Sequence, residues 1–476
     1  MMRRSPWATL AVLALAQFIV VLDVTIVNVA LPHIQADLNF SAESLQWVIS
    51  AYTLLFGGFL LLGGRMADLL GPRRVFVAGL LLFGVTSLVA GLAESPGFLI
   101  GARAVQGLGG ALLSPAALAI LTVTFAHGRD RNIAMGVWGG LAGLGGTLGV
   151  VAGGLLVDSL SWQWVFFVNV PIVLALVAVI PVFVRDLRHN ADGPRRFDTA
   201  GAVLGTAGLL AVVYGVVRAE PKGWGSAEVV GFLAGGVALL IAFVAVEARS
   251  KAPLVPLRLF RSRALSVSSV SLALNGAGFL SMFFLTAIYL QQVRGDSALD
   301  AGLHFLPMGG AAILGAVLAS NLVQRVGTRT VQLGGSVVSV AGLLLLSQAD
   351  ATGGYATELL PGLILFGLGI IGVGVPAQIA AVSEVQHHEA GAASGAVTTM
   401  YQVGGALGLA IVTTLSITRT TDALAHGDAQ QQALVEGFQR GLLIAGLFAI
   451  ANVLITLTTP QIQPTSEQLT EAAAAA

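Results

Sequence analysis

The sequence predicts an all-α polytopic membrane protein with fourteen transmembrane helices, arranged as two six-helix bundles with two further helices inserted between them. Three observations carry this. Of the 476 residues 56% are hydrophobic and only 10% are charged, more apolar side chain than an ordinary soluble domain can hide. The apolar residues fall in fourteen runs. The basic residues between the runs are distributed unevenly between the two sides.

The runs lie at about 7–34, 46–63, 75–93, 98–122, 134–157, 164–184, 199–217, 228–247, 264–290, 302–320, 331–349, 358–382, 390–416 and 436–457. The first opens like a secretion signal, with Arg3 and Arg4 before an apolar stretch and Ala14-Leu15-Ala16 inside it, but it continues to Val29 and reads as an uncleaved helix. If the N-terminus is cytoplasmic, the inner segments hold Arg3, Arg4, Arg65, Arg73, Arg74, Arg129, Arg131, Arg185, Arg188, Arg195, Arg196, Arg249, Lys251, Arg258, Arg261, Arg263, Arg325 and Arg329. The outer segments hold Arg218, Lys222, Arg294, Arg419 and Arg440. That bias predicts an inner (plasma) membrane protein with both termini cytoplasmic.

A shift of 256 residues lays Gly71 on Gly327 and Arg73 on Arg329, and the first, second and fifth runs on the ninth, tenth and thirteenth. The predicted units are therefore residues 1–190 and 263–459 as six-helix bundles, 191–262 as the inserted pair with its linkers, and 460–476 as a polar tail. Parallel repeats of this kind imply a central site between the bundles and a rocking motion.

Among the charged residues that fall inside runs, Asp23 and Arg103 stand out. Trp7–Ala30 contains Asp23 alone; as a helix it is about 36 Å long, enough to cross a bilayer with some tilt. An acid there costs roughly 2.5–3.5 kcal/mol on insertion scales, so it reads as a functional site. Burial disfavours its charged form, which suits binding and releasing protons. Arg103 sits about 8 Å into the fourth run from the outer side and Asp23 about 11 Å into the first, so the two are at similar depth. The expectation is that Arg103 meets Asp23, or polar groups such as Asn28, directly or through water. The bland alternatives are a structural acid and a hydrogen-bond hub.

Other motifs are weaker. Gly145, Gly149 and Gly153 are four apart and share a helix face open to close approach by another helix, with Gly154 beside them. Gly367-Leu368-Gly369-Ile370-Ile371-Gly372 matches a dinucleotide-loop pattern but follows no strand. His387-His388-Glu389 reads as a solvated loop rather than a metal site. Neither Lys222 nor Lys251 belongs to a phosphate-binding loop, and without cysteine there is no disulfide or thiolate chemistry.

Gly64-Arg65-Met66-Ala67-Asp68-Leu69-Leu70-Gly71-Pro72-Arg73-Arg74 resembles the loop signature of the major facilitator superfamily. Leu22–Pro32, Arg103–Gly110, the glycine-rich fifth run and Ser161–Pro171 resemble its fourteen-helix drug:proton antiporter group. Two departures stand out: Gly146 and Val150 where that group carries prolines, and Gln163 where it often has arginine. The resemblance implies the major facilitator fold and a secondary active transporter, not an enzyme. It implies proton-coupled export of lipophilic or cationic drug-like compounds by alternating access, with Asp23 and Arg103 coupling the proton. Gly64, Asp68, Gly71 and Arg73 would form a conformational latch, Asp68 reaching the start of the thirteenth helix near Glu389. Candidates for the wall of the substrate cavity are Asn28, Tyr52, Trp138, Asn275, Phe279 and Gln402. The expected partners are a small amphiphilic substrate, protons and the bilayer, with no nucleic acid; the expected state is a monomer without cofactor. Transport of a nutrient or metabolite on the same fold is the rival reading, and a non-transporting receptor or scaffold a more distant one.

Overall fold

A computed structural model of the chain describes residues 5–125, 129–184, 198–250, 253, 257–351, 353–383 and 390–462. Some helical side chains within these ranges, among them those of Arg65, Asp68 and Trp138, are outside the description. Among the described residues there is no strand. The long helices are α1 (Pro6–Leu38), α2 (Trp47–Leu70), α3 (Pro72–Gly91), α4 (Pro96–Thr124), α5 (Arg129–Ser159), α6 (Asn169–Phe183), α7 (Thr199–Lys222), α8 (Ala227–Arg249), α9 (Arg263–Ile288), α10 (Leu306–Val326), α11 (Thr328–Leu346), α12 (Leu360–Ser383), α13 (Ala390–Ala425) and α14 (Gln430–Thr456). Twelve helical stretches among the described residues are long and apolar enough to cross a membrane. The two long helices outside that dozen, α2 and α5, have 24 and 31 residues, and both hold undescribed side chains.

Two runs are interrupted where proline dictates it. The sixth splits into Trp164–Phe167 and α6, and the tenth into Ala298–His304 and α10. Pro171 and Pro307 lack an N–H, and their rings crowd the carbonyl four residues earlier, so each helix breaks just upstream. Gly71 and Gly327, which the repeat equates, both have positive φ (94° and 81°) at the joints between α2 and α3 and between α10 and α11. Only glycine takes that conformation without penalty, so both repeats turn at the same place.

Helix pairs approach through small residues, as expected where lipid removes the hydrophobic drive for helix association. A Cβ on Gly79 would fall 2.8 Å from the Gly109 carbonyl oxygen, joining α3 to α4; one on Gly342 would fall 2.9 Å from the Gly362 carbonyl oxygen, joining α11 to α12. α7 and α8 pack on each other, and α7 also packs on α2 and α13. The outer face of α8 carries Val230, Val237 and Ile241, each at least half exposed, a surface that acyl chains cover readily and water does not.

The face where α1 begins is called here the near face and the opposite one the far face. On the far face the first six long helices and the last six are bonded together. Gln291 Nε2 donates to the Val29 carbonyl (3.0 Å) and Gln292 Nε2 to Gln35 Oε1 (2.8 Å). The Asp158 carboxylate accepts from the backbone N–H groups of Ala298 and Leu299 (3.2 and 2.8 Å), and Thr413 Oγ1 donates to Gln46 Oε1. The two glutamines stand on a π-helical segment, Tyr289–Val293, that continues α9.

Candidate proton site

Asp23 is fully buried in the middle of α1, and Arg103, 1% exposed, stands on α4. Arg103 Nη1 lies 2.5 Å from Asp23 Oδ2. Spacing of three along α4 puts Gln106 on the same face. Its Oε1 accepts from Arg103 Nη1 (2.7 Å) and its Nε2 donates to Asp23 Oδ1 (2.9 Å). Asn169, the first residue of α6, donates from Nδ2 to Asp23 Oδ1 (3.2 Å) and to Ser87 Oγ on α3 (3.0 Å). Ser87 Oγ in turn donates to the Phe166 carbonyl (2.9 Å). From α2, the Val48 carbonyl accepts from Arg103 Nε (3.0 Å), and the Tyr52 ring faces the guanidinium with its centroid 4.3 Å from Cζ.

A buried ion pair recovers its desolvation cost only when its remaining hydrogen-bonding capacity is met. Here the carboxylate oxygens accept from three side chains, and the guanidinium donates to a carboxylate, an amide oxygen and a carbonyl. Every donor around Asp23 points at its oxygens, the pattern of an ionised acid. A proton arriving at Asp23 would remove the counter-charge while leaving the guanidinium its neutral partners.

Arg103 therefore lies against Asp23 rather than Asn28, whose Nδ2 donates to the Val24 carbonyl one turn back on α1. Gly145, Gly149 and Gly153 face Val21, Thr25 and Ile26 and seat α5 on the helix of the acid. Gly154 points elsewhere, onto Leu299 beside the Asp158 contact. Gly64 adjoins Pro115, and Arg73 is half-buried at the start of α3; the Asp68 side chain and Glu389 are outside the described residues.

Of the cavity candidates, Tyr52 belongs to the acid site. Asn275 donates to the Ile370 carbonyl (3.2 Å) and borders a small void with Ser336, Ser339, Phe366 and Asn452, inside the last six helices. Phe279 packs on Phe283, Gln402 stands against Gly57 where α2 meets α13, and the Trp138 side chain is undescribed. The Gly367–Gly372 run lies within α12. Among the described residues no group of three or more His, Cys, Asp or Glu is placed to hold a metal ion.

Sequence reasoning gave Gln106, Asn169 and Ser87 no role, although the first two stand in quoted motifs. Only the spacing of Gln106 from Arg103 was a usable signal.

The family model of the Major Facilitator Superfamily matches residues 13–409. The chain belongs to the major facilitator superfamily. It is a membrane transporter and not an enzyme. Among its superfamily relatives, a puromycin resistance protein of Streptomyces alboniger is 42% identical over 453 residues, 94% of this chain and 90% of that one. A cephamycin export protein of Amycolatopsis lactamdurans is 40% identical over 421 residues, 87% of each chain. The crystal structure of an auto-inhibited POT family peptide transporter superposes with TM-score 0.69 at 13% identity, covering 96% of this chain and 98% of that chain, a likeness of fold alone.

Proposed function

We propose that this protein exports lipophilic, antibiotic-like compounds across the plasma membrane in exchange for protons, with Asp23 as the proton carrier. Relatives named for puromycin resistance and cephamycin export support the substrate class. The observation that carries the coupling is the enclosed Asp23–Arg103 pair, the one buried acid–base pair among the described ion pairs. An acid that gains a proton here exchanges a satisfied ion pair for a lone buried cation, a change of charge large enough to shift helix packing. Each elementary charge moved across the membrane supplies about 2.3 kcal/mol per 100 mV.

In this reading all fourteen long helices cross the membrane, α2 and α5 included, as in the fourteen-helix drug:proton antiporter group. Residues 1–190 and 263–459 form the two bundles, 191–262 the inserted pair and 460–476 a polar tail. The near face is cytoplasmic because the basic residues cluster there. The far-face bonds are then the outer gate in its closed position, and Asp68 with Gly64, Gly71 and Arg73 latches the inner side when that gate opens. The protein acts as a monomer without cofactor.

The test uses the purified protein in proteoliposomes with puromycin as probe. Wild type is expected to release protons when puromycin is added and to accumulate it against its gradient when a pH gradient is imposed. Asp23→Asn is expected to insert normally and lose both. Full gradient-driven accumulation by Asp23→Asn would remove the acid from the mechanism.

A further inference from the structure

Each protonation of Asp23 leaves Arg103 as a buried cation without its counter-charge, and something must hold it. This inference rests on the proposed role of Asp23. Around the guanidinium pack α1, α2, α3, α4, α6 and the Trp164–Phe167 turn. Among the described residues, the titratable side chains they present to it are Asp23 and Tyr52; Ser87, Gln106 and Asn169 are neutral. The ring of Tyr52 lies 4.3 Å from Arg103 Cζ and that of Phe166 5.7 Å away.

We propose that the ring face of Tyr52 is the second seat of the Arg103 cation and sets the pH at which Asp23 takes its proton. An aromatic face carries negative potential, which attracts a cation and repels an anion. While Asp23 is ionised, its carboxylate holds the guanidinium at 2.5 Å and the ring's repulsion of that anion offsets part of its attraction for the cation. Once Asp23 is protonated, the ring sees a net cation and its attraction is uncompensated. The contact therefore favours the protonated state, and Tyr52 acts as a positioning residue through Arg103.

The surroundings are shaped for the ring rather than for its hydroxyl. A Cβ on Gly107 would overlap the Tyr52 backbone, so α4 reaches α2 at this level only with glycine there. Phe56 stacks on the Tyr52 ring (5.9 Å, 6° between planes) and fixes its orientation. The hydroxyl is buried and makes no hydrogen bond among the described residues.

The experiment is a pH titration of the reconstituted protein by infrared difference spectroscopy, with no transported compound present. The protonated-carboxyl band of Asp23 is assigned by its loss in Asp23→Asn. Tyr52→Leu is expected to move the midpoint of that band to lower pH by about one unit, the size of a desolvated cation–π contact, while Tyr52→Phe leaves it in place. If Tyr52→Leu does not fold, phenylalanines with one, two and three fluorines at position 52 keep the shape while weakening the face, and the midpoint is expected to fall stepwise. A titrating Asp23 band that does not move in the leucine or fluorinated variants overturns this proposal alone, as does an equal shift in Tyr52→Phe. The absence of any titrating band sensitive to Asp23→Asn overturns the proposed function with it.

Discussion

Asp23 and Arg103 are each stabilised inside the molecule chiefly by the other. Arg103→Ala would strand a fully buried carboxylate, and breaking such a pair from one side costs about 3–5 kcal/mol. A clear fall in melting temperature in detergent is expected, with most of it recovered in Arg103→Ala/Asp23→Asn. An Arg103→Ala protein as stable as wild type would show that the pair is not what holds these helices in register. Both residues were legible from sequence because a charge inside an apolar run announces itself. Of their neutral partners only Gln106 left a signal, its spacing of three from Arg103; Ser87 and Asn169 are the sort of polar side chain any membrane helix can carry. Whether they face the acid depends on how α3, α4 and α6 rotate against α1, which packing decides. Tyr52 was expected at the substrate, and its place over Arg103 follows from the same rotation.

At the scale of helices, glycine decides which pairs can close. Gly107→Val would push α4 off α2 at Tyr52, and it is expected to lower the yield of monodisperse protein and weaken proton coupling; Gly101→Ala, with open space at its Cβ, is the matched control. The far-face bonds make a separate prediction. Cysteines placed at Gln35 and Gln292 and joined by a short bis-thiol cross-linker should stop export until the link is cleaved, and undiminished export by the linked protein would mean this face does not open. The joints at Gly71 and Gly327 were readable from the internal repeat, and the breaks before Pro171 and Pro307 could have been read from proline chemistry. The π-helical turn that brings Gln291 and Gln292 to α1 left no mark in the hydropathy pattern, because inserting a single residue into a turn changes geometry and not composition.

Across the whole molecule, the apolar runs were the most legible feature, since the bilayer fixes their length and composition. The path of the substrate was the least, because aromatic and amide side chains serve packing and binding alike. The chain contains no cysteine, so single introduced ones report topology directly. A cysteine at exposed Leu160 on the far face should react with an impermeant maleimide in intact cells, and one at exposed Leu457 on the near face only after lysis. The most direct test of the central claim is the ratio of protons released to puromycin bound or moved in proteoliposomes of wild type and Asp23→Asn. The account expects a measurable release from wild type and none from the variant, with downhill puromycin exchange surviving in both; equal proton release from the two would contradict it.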